Sequence, residues 1–371
     1  HMLYRTGEIA EALPWAQKAF ELAERLGDPK ILAGCHSALG MISMLSGELE
    51  KASKYFEQGL KIAVENNCTE PALRLYSNLS LFYYMTGELQ KMFENAQKGS
   101  ELAKKVGAVE WIAFNDYWLA IPYGFMGEVQ KAISMYEDII ALDKRTKNTA
   151  HISYPLFTLG ATYGSLGEWD KSLQYLMEAR DIAKKTGELS SGDAALWLGQ
   201  LFMEMEDYVE AEKYFNESNS IFEKAGEIVR RFADLFPALS KLYLKKGEIE
   251  KAKELIETIY GYATTIRNRL LLSHAEMLKG MLFREQKKWE QSIQHFEKSL
   301  EGFKAINTQK WLAFLFAELL YEYGLMHLER NQEGDKEKAY SLLNQALEIY
   351  QKIDAKKRIE KIIAKKKLLT A

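Results

Sequence analysis

Cysteine is almost missing from this chain of 371 residues, with Cys35 and Cys68 as its only two. One pair cannot staple a chain of this size, and the two thiols read as unpaired ones in a cytoplasmic protein, not as a redox couple. Proline is scarce as well, at six residues. No apolar run approaches the length of a membrane span, and no signal-peptide pattern opens the chain. Neither sign of charge dominates: 49 basic residues face 52 acidic ones, a net charge of -3. Nucleic acid and a charged membrane surface therefore have no electrostatic claim as partners. His1, His36, His151, His274, His295 and His327 show no metal-ligand spacing. A G-x-x-x-x-G-K-[ST] phosphate loop, an alternating strand pattern and a Ser/Gly-rich linker are all lacking. Gly164-Ser165-Leu166-Gly167 is faintly like a nucleophile turn, but its glycines are misplaced and no strand precedes it, so it reads as a helix end. We expect no cofactor, no metal and no catalytic residue.

What the chain does have is a period. A glycine followed by glutamate recurs every 40 residues, at Gly7-Glu8, Gly47-Glu48, Gly87-Glu88, Gly127-Glu128, Gly167-Glu168 and Gly247-Glu248. Small residues precede these by seven positions, at Gly40, Ser80, Ala120, Gly160 and Ser240, and Gly199 and Gly280 continue the series with small slips. At Glu206-Asp207 and Lys287-Lys288 the glycine is lost while the surrounding helical pattern continues. Each period reads as two amphipathic helices, because apolar residues space at three and four on both sides of the glycine. A second set of stops falls at Gly27, Asn67, Gly107, Gly187, Gly226 and Asn307, where Gly and Asn tolerate the left-handed conformation that closes a helix. Pro29 and Pro71 follow two of these, in the first turn of the next helix, where proline loses no hydrogen bond. Such a period marks a solenoid, in which each unit buries its apolar face only against its neighbours.

In the first helix of each unit a leucine precedes the small residue, as in Ala38-Leu39-Gly40, Asn78-Leu79-Ser80, Trp118-Leu119-Ala120 and Thr158-Leu159-Gly160. An aromatic follows three residues later, as Tyr83, Tyr123, Tyr163, Phe202, Tyr243 and Phe283. In the second helix a small residue lies five after the glycine, as at Ala52, Ala132, Ser172 and Ala252. On these residues the chain resembles the tetratricopeptide repeat over nearly its whole length. The resemblance implies an all-α fold: a right-handed α-α superhelix of about eight helical hairpins with a period of 40 residues, where the common form of the repeat has 34. Met92 in place of the small residue, Lys279 in place of the leucine, and the longer turn Arg330-Asn331-Gln332-Glu333-Gly334 depart from the pattern.

The domain reading is one solenoid over 1–371. Within it, 1–2 is the remnant of a tag, 3–30 is the second helix of a truncated first unit, and 355–371 is a basic amphipathic capping helix. The connector Leu26-Gly27-Asp28-Pro29 and the closing segment from Tyr321, with Lys338-Ala339-Tyr340-Ser341-Leu342-Leu343, look like arrays in signal-transduction ATPases with numerous domains, of the maltose-regulator type. That resemblance implies a sensor that binds an inducer and relays occupancy to upstream domains carrying a nucleotide-binding switch.

Function is then expected on the inner wall. Transferring the family's groove positions places Arg74, Asn78, Phe114, Tyr117, Trp118, Tyr154, Phe157, Trp197 and Gln200 there, with Tyr84, Asp193, Asp234, Lys241, His274 and Arg284 among further wall residues. Tyr123, Tyr163 and Tyr243 occupy the packing position and are assigned to the core. Phe114, Tyr117, Trp118 and Phe157 are expected as exposed anchors for a small-molecule or peptide ligand, with Arg74 or Asn78 orienting an acidic or carbonyl group. Pro122 and Pro237 lie inside first helices and are expected to reshape the wall. The second reading is a scaffold that holds an extended or helical protein partner.

Overall fold

A computed structural model describes residues 9–148, 151–186, 189–306 and 312–370. The expectations for Gly7-Glu8, Gly187, Asn307 and the first two residues lie outside them. Among the described residues the chain forms eighteen helices and no strand. They are α1 (Ile9–Leu26), α2 (Pro29–Leu45), α3 (Leu49–Glu65), α4 (Thr69–Thr86), α5 (Leu89–Val106), α6 (Val109–Phe125), α7 (Val129–Thr146), α8 (Ser153–Leu166) and α9 (Trp169–Thr186). Then follow α10 (Ser190–Glu204), α11 (Tyr208–Lys224), α12 (228–246), α13 (Ile249–Thr265), α14 (Arg269–Glu285), α15 (Trp289–Ala305), α16 (Ala313–Arg330), α17 (Asp335–Lys352) and α18 (Lys356–Thr370). Most connections are two or three residues long, so successive helices fold back on one another as hairpins.

The turn that ends the first helix is built the same way after α2, α4, α6, α8, α10, α12 and α14. At Gly87 the backbone is left-handed, and the next N–H, of Glu88, donates to the Tyr83 carbonyl at 2.8 Å. Such a bond satisfies a carbonyl that the helix end leaves bare. Where glycine is lost, Glu206 (φ +64) and Lys287 (φ +55) adopt the same conformation, and Asp207 and Lys288 make the same bond at 2.9 Å. The hydrogen-bond requirement outweighs the cost of a Cβ there. Lys147 (φ +56) and Arg267 (φ +53) fill second-series stops that carry no Gly or Asn to mark them.

The small positions follow from what sits on them. A Cβ built on Gly40 would lie 2.5 Å from Phe56, one on Gly199 2.5 Å from Phe215, and one on Gly280 2.8 Å from Phe296. In each case the large residue is sixteen positions on, in the second helix. Ser80 is the exception, since Ala96 holds the facing position; the bulk moves one turn earlier, to the fully buried Met92. Lys279, the other departure, lays its ammonium 3.6 Å from the Tyr260 ring centre and pairs with Glu257 at 3.2 Å. Tyr123, Tyr163 and Tyr243 pack against the core from its edge, half-buried, under the ammonium groups of Lys131, Lys171 and Lys251. The longer turn after α16 is held by Asp335, which accepts from Arg330 at 2.8 and 2.9 Å and from the Gln332 N–H at 2.8 Å. Cys35 is buried in α2, Cys68 caps α4, and both are free thiols.

Distant units meet at their hairpin tips. Asn268 donates its side-chain amide to the Met85 carbonyl at 3.1 Å, and Leu270 lies against Gly87. Lys356 pairs with Glu168 at 2.8 Å, Arg358 bonds Glu204, and Ile353 lies against Gly127. The contacting side chains stand 150 to 190 residues apart in sequence for the polar pairs. Successive turns of the superhelix therefore touch one another, and the concave groove expected from the sequence is instead a walled channel. At the other end, α1 leaves Trp15, Leu22 and Leu26 largely exposed.

Candidate binding channel

The first helices of the hairpins, α4, α6, α8, α10, α12, α14 and α16, line a central channel of about 1010 Å³. They reach it because the second helices sit outside them and bury the opposite face. Asn78, Phe114, Tyr117, Trp118, Tyr154, Phe157, Trp197 and Gln200 all contribute to its wall. Arg74 does not. Its guanidinium bonds Glu70 at 3.0 Å, one turn back on α4, and lies 5.6 Å from the Trp111 ring. The role expected of Arg74 is thereby withdrawn, and the arginines in the channel wall are Arg230, Arg284 and Arg358.

The aromatic residues form a continuous band with two degrees of exposure. Tyr117, Trp118 and Phe157 retain only 4%, 9% and 8% of their surface. Tyr117 and Trp118 meet edge to face at 5.1 Å, and the Tyr117 hydroxyl is 3.1 Å from that of Thr158. These three brace the wall, so the expectation that they stand exposed is corrected: neighbouring first helices crowd together on the inside of a curved array and cover them. Phe114, Tyr154 and Trp197 are half-buried, with part of each ring open to the channel. Behind them the buried His151 imidazole meets Asp143 at 2.8 Å and packs on Phe114 and Tyr154. The Asn78 amide nitrogen is committed to Ser37 Oγ at 2.9 Å.

Near this band lies a charged group that composition could not reveal. Arg230 approaches Asp193 at 3.4 Å and Glu227 at 3.7 Å, and its guanidinium lies 6.0 Å from the Phe222 ring. Asp193 is buried, and its Oδ2 has no hydrogen-bond partner. Asp234 also faces the channel. Burial and the neighbouring Asp193 push its pKa up to about 7. Burial likewise raises Asp193 and Glu227, against the pull of Arg230. Tyr84, stacked on Phe125 at 5.8 Å, has its hydroxyl raised well above the usual phenol range by the charge of Asp234 and by burial.

The backbone explains how Asp234 arrives there. Helix α12 consists of Ile228–Arg230, a π-helical turn Arg231–Leu235 and Phe236–Lys246. Pro237 stands two residues past the turn, after Phe236. A proline supplies no N–H to the carbonyl four residues back and presses its ring against it, and the wider turn relieves both. Pro237 was legible as a helix disturbance; the form it takes was not.

Further along, charges are matched. Lys241 holds both oxygens of Glu318 at 2.8 Å. Burial would raise Glu318, but Lys241 and Arg358 bring it down to about 2. Burial and Lys241 lower the His274 imidazole to about 3, keeping it neutral. Arg284 bonds Glu322 at 2.6 Å. The α10–α12 group sets three carboxyls around one guanidinium, as Glu285, Glu322 and Glu329 surround Arg284, but its contacts are looser, at 3.4 and 3.7 Å.

Comparison with known proteins agrees with this architecture. The family model of the tetratricopeptide repeat matches residues 33–65, within α2 and α3. The chain is a tetratricopeptide-like helical repeat array. Among solved structures, a Rap protein complexed with competence and sporulation factor is similar over 95% of this chain and 96% of its own, with a TM-score of 0.67 at 15% identity. NprR in complex with its cognate peptide NprX is similar over 80% and 81%, with a TM-score of 0.54 at 17% identity. A signal-transduction ATPase with numerous domains and a tetratricopeptide repeat sensor, from Pyrococcus horikoshii, is similar over 90% of this chain and about half (52%) of its own, with a TM-score of 0.55 at 15% identity. These likenesses define the fold. No curated protein matches the sequence.

Proposed function

We propose that this chain is the ligand-sensing and protein-interaction part of a larger regulatory protein, that it takes a short peptide in its channel, and that occupancy is relayed to a nucleotide-binding switch in upstream domains. The observation that carries the reading is the channel itself. Its volume, half-exposed aromatic band and charged wall are those of a recognition site for an elongated ligand with both apolar and polar groups. A peptide is favoured over a small molecule by the channel's length across seven first helices, and two proteins of like fold were solved with a peptide or factor bound. No membrane-spanning role enters the reading: among the described residues no helix is long and apolar enough to cross a membrane. The cytoplasm is the compartment this reading assigns.

The site of this reading comprises Asn78, Phe114, Tyr117, Trp118, Tyr154, Phe157, Trp197 and Gln200, with Phe114, Tyr154 and Trp197 the half-buried aromatics that line the channel. A synthetic hexapeptide library selected on the immobilised chain, followed by titration calorimetry of the selected peptides, tests it. Trp197→Ala is expected to weaken binding by about 2 kcal/mol, roughly thirtyfold, with little change in melting. Trp118→Ala is expected to lower the melting temperature as well, because that ring is buried. Selected peptides that bind Trp197→Ala and Tyr154→Ala as tightly as the native chain would place the ligand elsewhere. The scaffold reading would prevail if only long segments of folded partners bind.

A further inference from the structure

The unbalanced charge on α10 and α12 has a direction. Arg230 has two carboxylates and the Phe222 ring beside it, although its Nη1 is buried without a hydrogen-bond partner. With those carboxylates so near, it is poorly placed to receive an anion from the channel. Asp193 is in the same condition with the opposite charge: more than nine-tenths buried, it lines the channel and its Oδ2 lacks a partner. An unpaired carboxylate oxygen in such a place costs free energy unless something fills the site. Asp234, delivered by the π-helical turn, faces the same space and has no ion-pair partner among the described residues. Tyr84, Tyr117 and Tyr154 line the same channel. They lie close enough that the acidic group raises the first two hydroxyls and that Tyr154 acts on Arg230. Carboxylates facing aromatic rings form the usual environment of an organic cation. A metal ion is a poorer fit, since among the described residues no three metal-ligating side chains converge.

Resting on the peptide reading above, we infer that Asp193 and Asp234, together with Tyr84, Tyr117 and Tyr154, form a subsite for one ammonium or guanidinium group of the channel's ligand, such as a lysine or arginine side chain of a peptide. The cation reduces the excess of carboxyls that Arg230 alone leaves and stands beside Asp193, whose Oδ2 lacks a donor. The aromatic band beside it takes the apolar flank of the same ligand. Specificity then follows from chemistry: an isosteric neutral residue forfeits a charge-assisted bond, and an acidic one meets two carboxyls.

Three pools of capped pentapeptides with the same randomised flanks, differing only in a central lysine, norleucine or glutamate, are titrated into the full chain at low salt and followed by tryptophan fluorescence. The lysine pool is expected to bind at least about tenfold more tightly than the norleucine pool, and the glutamate pool most weakly. In Asp193→Asn that preference should fall to about twofold or less while norleucine affinity holds. Melting curves check that the variant folds; Asp234→Asn is the second variant, and the comparison of pools on the native chain needs neither. Equal binding of lysine and norleucine pools, a preference for glutamate, or a lysine preference that survives both substitutions overturns the subsite and leaves the peptide channel standing. Failure of every pool to bind overturns the channel reading together with the subsite.

Discussion

Asp234 holds its proton more tightly in the folded chain than it would unfolded, with a pKa of about 7 set by burial and by Asp193. An exposed aspartate titrates near pH 3.9, roughly. The folded form therefore gains from this group a stability that is complete below about pH 4 and lost as pH rises through about 7. Arg230 offsets part of the loss; Asp193, Glu227 and Tyr84, which face the same group, add to it. Water in the channel also softens the effect, so a magnitude on the order of 2 kcal/mol is reasonable. Asp234→Asn should then melt higher than the native chain at pH 8, with the gap closing toward pH 5. The difference between the two proteins is the quantity to measure, because His274 and Glu318 titrate in both and cancel. A gap that stays constant from pH 5 to pH 8 would show that Asp234 is ordinarily ionised.

At the scale of the helical hairpin, packing distance decides which residues can vary. Gly199 in α10 lies beneath the fully buried Phe215, where an added methyl would sit 2.5 Å from the ring. Gly199→Ala gains helix propensity of about 1 kcal/mol but forces that ring aside, an overpacking cost of about 1–3 kcal/mol. It should lower the melting temperature. Gly261 in α13 has the same helical setting with nothing within 4 Å of an added methyl, and it is exposed. Gly261→Ala should raise stability by about 0.5–1 kcal/mol. Denaturation of the two variants beside the native chain tests the argument, and equal effects of the same sign would refute it. The contrast also shows why small residues keep the period where helices pack closely and drift where the surface is open.

For the whole molecule, closure depends on the last helix. Ala355 and Ile362 are buried, while Lys356, Arg358 and Lys361 reach back to Glu168 and Glu204 on turns about 150 to 190 residues earlier. Lys357 also lies 5.6 Å from the Trp169 ring. Lys356, Arg358 and Lys361, which could have served an acidic partner, are thus engaged within the chain. Removing everything after Asp354 strands Glu204 and exposes the apolar end of α17. The truncated chain should melt lower and show a larger radius of gyration in solution scattering, since the tie between successive turns is gone. High salt should enlarge the native chain in the same direction by screening those pairs. A truncated chain with unchanged melting and radius, but loss of an acidic partner, would assign α18 to recognition.

The sequence by itself determined the unit. Spacing of apolar residues gave two helices per period, glycine and asparagine marked their ends, and the small positions announced close helix contacts; these are local relations, and short-range sterics and hydrogen bonds settle them. The same logic carried eight of the nine expected site residues to the channel wall, because a constant step stacks equivalent positions on one face. It failed at Arg74, whose side chain is long enough to turn outward to Glu70 on its own helix. Tertiary structure alone decided the rest. How far each unit rotates on the last is a small angle that sums over many interfaces, and only the sum shows that Asn268 reaches Met85, or that Arg358 reaches Glu204. From that closure come the enclosed channel, the burial of Trp118, and the meeting of Asp193 with Arg230 and Asp234 across neighbouring units, which no spacing within a single period can express.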